Sequence, residues 1–190
     1  MGFLDSLLGR TKPVPPNLDE LFALPSAAIT LQAATDFVPT GIGSVCFRAV
    51  EGKAFSDIEK DVTDLLSMGQ SKTPISVTAD SYGYTWVVCT HSADDVEGLV
   101  TDLHAVNYSL EGGGFGPQLL CTIVGFLDSS GTRLGLVYLY KRGTFYPFVP
   151  KLGERRDNAT ELRIRGVLGD DLKMEPELGR WFPVWGAPGL

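Results

Sequence analysis

Few residues of this sequence have the types and spacing for chemistry. Histidine occurs only at His91 and His104, and cysteine only at Cys46, Cys89 and Cys121. Cys89 and His91 stand two apart, on one side of the chain if the segment is a strand. With His104 they are the nearest approach to a zinc set. Zinc takes three or four protein ligands held by hydrogen-bonded support, and the chain has neither C-x-x-C nor H-x-x-x-H. The expectation is no metal and no cofactor. A Cys/His nucleophile pair through Cys89 or Cys121 is the remaining catalytic option. Each cysteine, however, lies in an apolar run, "SVCFRAV", "WVVCTHS" or "LLCTIVGF", where thiols stay protonated and inert. The odd number and wide spacing give no disulfide framework, and no G-x-S-x-G elbow is present.

The stretch "EGGGFGPQLL" (111–120), with Gly112, Gly113, Gly114 and Gly116, suggests a phosphate loop. Such loops run strand, glycine turn, helix, so that helix N–H groups face the anion. Here the order is helix, glycines, strand, and a helix C-terminus presents carbonyls that repel anions. No lysine occurs between Lys72 and Lys141. The reading is a flexible loop with a left-handed helix cap at Gly112 or Gly113; a flap over a groove is its functional alternative. Asp94, Asp95, Glu97 and Asp102 read as a solvated helix face, the first two favoured by the helix dipole.

Two apolar clusters at the ends are binding candidates. In "MGFLDSLLGRTK" Phe3, Leu4, Leu7 and Leu8 share one helical face, and "PVPP" at 13–16 is a stiff spacer. The start also fits the M-G-x-x-x-[ST] acylation pattern. This hook is expected to meet a partner, a membrane surface or its own body. At the other end "RWFPVWG" places Trp181, Phe182 and Trp185 together, an aromatic set typical of interfaces or of a core cap.

Composition removes several classes. Residues 151–190 carry seven charges of each sign, so the net charge of −7 comes from the rest of the chain. No basic field exists, which argues against nucleic acid. An acidic body also repels anionic lipid unless a short segment does the binding. No stretch approaches the ~20 apolar residues of a membrane span and no signal peptide is seen. The expectation is a cytoplasmic protein, with peripheral contact at the inner membrane face left open.

The elements that must position these residues read as follows. Asn17 and Glu20 open a short helix ending near Pro25, and residues 26–35 suit helix and strand alike. "GIGSVCFRAV" (41–50) is a strand. Ser56 and Glu59 cap a helix with Phe55, Ile58, Val62, Leu65 and Leu66 on one face. Strands at 74–79 and 84–90 form a hairpin. A helix follows, with Val96, Leu99, Val100, Leu103 and Val106 as its stripe. Strands at 118–127 and 134–141 make a second hairpin, and "GTFYPFVP" an edge strand, because Pro147 cannot donate to a central ladder. "ERRDNATELRIRGVL" reads as an exposed amphipathic helix. The predicted class is α+β: a largely antiparallel sheet with helices on one face and a helical C-terminal tail. The predicted organisation is a hook and spacer (1–16), a core domain (17–150) and a helical, aromatic extension of the same domain (151–190).

"GFLDSLLGR", "LFALPSAAITLQAATDF", "GSVCFRAV", "RRDN" and the closing "RWFPVWG" together resemble the PspA-associated protein PspAB family, over essentially the whole chain. The resemblance implies an accessory role in a phage-shock-type envelope-stress response, with the coiled-coil protein PspA as partner. It brings no catalytic residues. The functional expectation is therefore a non-enzymatic adaptor acting by protein binding, with a homodimer left open. A chaperone-like peptide-binding dimer is the alternative, and an enzyme with a glycine flap a more distant one.

Overall fold

The computed structural model describes residues 16–48, 57, 60, 64 and 75–190. A 3-10 turn, Leu18–Ala23, runs directly into helix α1 (Leu24–Ala34). The helix expected to end near Pro25 instead begins there. Proline sits in the first turn of α1, where its missing N–H has no partner to lose. Residues 26–34 are thus helical, with Ala27, Ala28 and Leu31 buried. Asn17 and Glu20 do meet, but the Asn17 amide donates to the Glu20 carboxylate at 3.2 Å and accepts no backbone N–H, so the reciprocal capping box does not form.

Strand β1 spans Val38–Arg48, longer at its start than read from sequence. The helix expected at 55–69 lies outside the described residues, apart from Asp57, Lys60 and Asp64, which are helical and exposed. Strands β2 (Ile75–Ala79) and β3 (Tyr84–Thr90) form the first hairpin. Helix α2 (Val96–Leu110) starts at Asp95, whose carboxylate accepts the Gly98 N–H at 2.9 Å. Strands β4 (Leu119–Leu127) and β5 (Arg133–Leu139) form the second hairpin, and β6 (Thr144–Phe148) follows. A ribbon of β7 (Pro150–Lys151) and β8 (Arg155–Arg156) leads into α3 (Asn158–Leu168).

The main sheet has six strands in the order β2-β3-β1-β4-β5-β6, and every neighbouring pair is antiparallel. β1 and β2 therefore run parallel across β3, and β3 and β4 across β1. This is the split βαβ arrangement, here extended by β5 and β6. Pro147 lies on the edge strand, as expected. The outer side of β6 is partly closed by the chain beyond α3. The Phe145 N–H donates to the Lys173 carbonyl at 2.9 Å, and the Glu175 N–H to the Phe145 carbonyl at 2.7 Å.

Both faces of the sheet are apolar, and they are covered differently. One face turns Val45, Phe47, Val87, Val124, Phe126, Leu136 and Tyr138 toward the helices. There α2 contributes Leu99, Val100, Leu103 and Val106, and α3 contributes Ile164 and Leu168. So α3, expected to be exposed, is packed against α1 and β6. The opposite face presents Cys46, Trp86, Cys121, Ile123, Val137, Tyr146 and Phe148. The helix expected in the C-terminal extension is α3; beyond it, residues 169–190 form an irregular strap over that face with one 3-10 turn at Leu178–Arg180. The strap fits because Gly125 and Gly135 are cross-strand partners. A Cβ on Gly125 would meet the Gly189 carbonyl at 3.0 Å, and one on Gly135 would meet Leu190 at 3.1 Å. Among the described residues, no helix is long and apolar enough to cross a membrane.

Candidate functional site

The strap leaves part of its face open. Between it and strands β1, β3, β4 and β5 runs a groove of about 620 Å³. Its floor is Cys46, Trp86, Leu120, Cys121, Leu139 and Tyr146, and one wall is the run Phe182–Trp185. Alternation along the strands places these side chains together. A shift in register adds to this: Cys46 pairs with Cys121 and Phe47 with Leu119, so Leu120 is the extra residue of a bulge.

Two of the polar groups in the walls are already engaged. The Tyr146 hydroxyl donates to the Phe182 carbonyl at 2.8 Å, and the Trp86 Nε1–H to Asp80 Oδ2 at 2.8 Å. The Cys46 thiol is raised far above its ordinary pKa, first by its hydrogen bond to Cys121 and then by burial. Burial likewise raises Tyr146. The groove thus offers an occupant carbon, neutral sulfur and aromatic edges. Charge stands at its rim: Asp80 on the β2–β3 turn, and Lys141, Arg142 and Arg180 at the β5 end.

The strap is anchored by a buried carboxylate. Glu175 is fully buried and accepts from Arg142 Nε at 2.9 Å and from the Thr144 hydroxyl at 2.7 Å. Burial alone would raise its pKa, but the Arg142, Thr144 and Glu177 N–H donors outweigh it and hold the group below the ordinary carboxylate value. Glu161, also buried, accepts from the Val149 N–H at 2.9 Å and Arg156 Nε at 3.0 Å. Sequence reasoning passed over both glutamates, because a lone Glu in a charged segment looks solvated.

Of the aromatic trio, Trp181 is 6% exposed. It stacks on Tyr146 at 5.9 Å and donates Nε1–H to the Glu175 carbonyl at 3.1 Å. It is a core residue of the strap and offers no face to a partner. Phe182 is 58% exposed, and Trp185 is half-buried, set edge-on to Phe148 at 4.9 Å. Phe3, Leu4, Leu7 and Leu8 lie outside the described residues. The pairing of Cys46 with Cys121 was not legible, since only the β1–β4 register brings them together.

The glycine segment continues α2 as a wide turn, Glu111–Phe115, followed by a short turn, Gly116–Gln118. The left-handed residue is Gly114, with φ 86°, rather than Gly112 or Gly113. Phe115 is buried edge-on to Phe47 at 6.2 Å. That ring ties the turn to the core, and β4 leaves it directly for the groove floor.

The other cluster of chemical groups lies on the helical side. His91 Nδ1 meets Asp95 Oδ2 at 2.8 Å, and Nε2 meets Asp102 Oδ2 at 2.8 Å. Both ring nitrogens are occupied, so neither is free to ligate a metal or to take a proton from the Cys89 thiol. Burial opposes charge on His91, but the two carboxylates outweigh it and raise its pKa. Cys89 is pushed up to about 12, first by burial and then by Asp102. Asp102, expected on a solvated face, is buried. His104 is elsewhere, tilted against Phe22 with ring centroids 4.8 Å apart, and it lies 3.6 Å from Asp19. The Cys89–His91–His104 set is therefore not assembled.

A family model described as PspA associated protein B matches residues 1–189. No curated protein and no solved structure matches the chain.

Proposed function

The chain belongs to the PspA associated protein B family, and from that membership we propose that it is a non-enzymatic accessory protein that binds PspA in a phage-shock-type envelope-stress response. The observation that carries the reading is the match over residues 1–189, which includes both end segments. The geometry supports binding over catalysis. The imidazole nearest a thiol has both nitrogens engaged, and the thiols of Cys46 and Cys89 are held protonated. Phe182 and Trp185 stand at the lip of an apolar groove and offer aromatic surface of the kind that anchors interfaces. The hook with Phe3, Leu4, Leu7 and Leu8 is the second contact. In the sequence, "PVPP" stands between it and the first described helical turn.

The test is co-purification of the full chain with PspA, compared with a chain lacking residues 2–12 and with Phe182→Ala. Retention of the full chain, with loss of PspA and an unchanged melting temperature on deletion of the hook, is expected. Failure of purified full-length chain and PspA to associate at micromolar concentration rejects the reading. Capture of unfolded polypeptides with no preference for PspA selects the chaperone-like alternative.

A further inference from the structure

The groove has a chemistry of its own, independent of whether the chain binds PspA. Its lining is mostly apolar, and Tyr146 and Trp86 already spend their donors on Phe182 and Asp80. A volume of about 620 Å³ is in the range of small-molecule sites, roughly 300–1,000 Å³. One end of it is cationic, in a chain whose net charge is −7. There Arg142 is held by Glu175, and Arg180 by Glu177 at 2.8 Å. Lys141 differs. Its Nζ donates to the Pro117 carbonyl at 2.8 Å, and among the described residues no carboxylate pairs with it. An ammonium has three donors, so Lys141 has N–H groups left for an anion at the mouth.

A carbon-lined groove with one ammonium at its end that has donors to spare points to an occupant with an apolar body and a single anionic head. The geometry points to a binding site for a single-chain acyl carboxylate, its chain lying over Cys46, Cys121 and Leu139 and its carboxylate accepting from Lys141. The carboxylate of Asp80, on the β2–β3 turn and separated from β5 by β1 and β4 across the sheet, disfavours the reverse orientation. A cationic amphiphile would be repelled by Lys141, Arg142 and Arg180, and would find Asp80 already accepting from Tyr82, Tyr84 and Trp86, so it should bind more weakly.

The test uses the full chain with dodecanoate, dodecanol and dodecylammonium, each below its micelle concentration. Trp86 and Trp185 line the groove and report occupancy by their emission. Cys46 and Cys121 report it by protection from a small methanethiosulfonate, with Cys89 on the other face as internal control. Expected are saturable binding of dodecanoate, protection of Cys46 and Cys121 but not Cys89, and weakening by roughly three- to tenfold in Lys141→Gln, at the low end for a charge-assisted bond because Lys141 is exposed. Dodecanol should bind more weakly than dodecanoate and be indifferent to Lys141→Gln. Equal binding of dodecylammonium, an unaltered affinity in Lys141→Gln, or no saturable signal overturns the proposal. So does a response only to phosphatidylglycerol vesicles, which would make this face a membrane surface. Thiol protection without ligand that disappears on deletion of residues 2–12 assigns the groove to the hook. Protection that grows with protein concentration assigns it to a second copy. Either result also overturns the proposal.

Discussion

The two faces of one sheet are built from the same strands, yet among the described residues one is closed and the other is not. On the helical face the partners are regular elements whose stripes repeat at the helical period, and Leu99, Leu103, Phe126 and Leu136 have no exposed surface. On the other face the cover is an irregular strap, held at a few points. Glu175 binds it to Arg142 and Thr144, Trp181 stacks it on Tyr146, and Gly125 with Gly135 lets its end approach closely. A strap is narrower than a layer of helices. What it does not cover is the groove. The difference teaches that packing is divided between the faces: dense packing carries the fold on one, and on the other the incomplete cover given by the described residues leaves a concave apolar surface.

The comparison can be broken by substitution. Leu103→Ala, in the helical-face core, should cost about 2–5 kcal/mol. Phe182→Ala, exposed on the strap, should stay within ~0.5 kcal/mol. Chemical denaturation of both variants measures the contrast, and a similar loss in each would mean the faces are not divided in this way. Gly135→Val should fall between them, at about 1–3 kcal/mol, because overpacking displaces Leu190. It should also alter Trp185 emission, and unchanged emission would mean that the strap end can shift without moving the wall.

A smaller effect separates the faces by pH. The pKa of His91 is raised in the folded state, so its bridge to Asp95 and Asp102 contributes fully below the unfolded value of about 6.5. That contribution is lost as pH rises through the higher folded value. The stability gap between the natural chain and His91→Gln should therefore be larger at pH 6 than at pH 9. Asp95 has the opposite sign: its pKa is lowered, first by the His91 hydrogen bond, so its share appears above its unfolded value and fades as pH falls through the folded one. A gap that widened with rising pH would contradict the bridge. The smallest effect is kinetic. A small apolar thiol reagent should reach Cys46 and Cys121 before Cys89, and mass spectrometry after partial labelling reads the order.

Much of this architecture was legible in the sequence. The stripe of α2, the two hairpins and the edge position of Pro147 follow from local periodicity and from the absent proline N–H, which act over a few residues. The end segments were enough to suggest the family. Pro25 shows the limit of local reading, because proline both ends helices and begins them, and only the burial of Ala27, Ala28 and Leu31 decides which. The near-continuous apolar runs of β4 and β5 are those of strands buried on both faces, whereas the sequence reading placed cover, as helices, on one face only. The groove was decided by tertiary structure. Cys46 and Cys121 are 75 residues apart in sequence and meet through the β1–β4 register. Glu161 and Glu175 become buried anchors only because Arg156 and Arg142 are brought to them. Side-chain type and spacing determine which residues face the same way along one strand or helix. Which faces then meet depends on long-range pairing and on where an irregular segment finds donors, and neither leaves a local period to read.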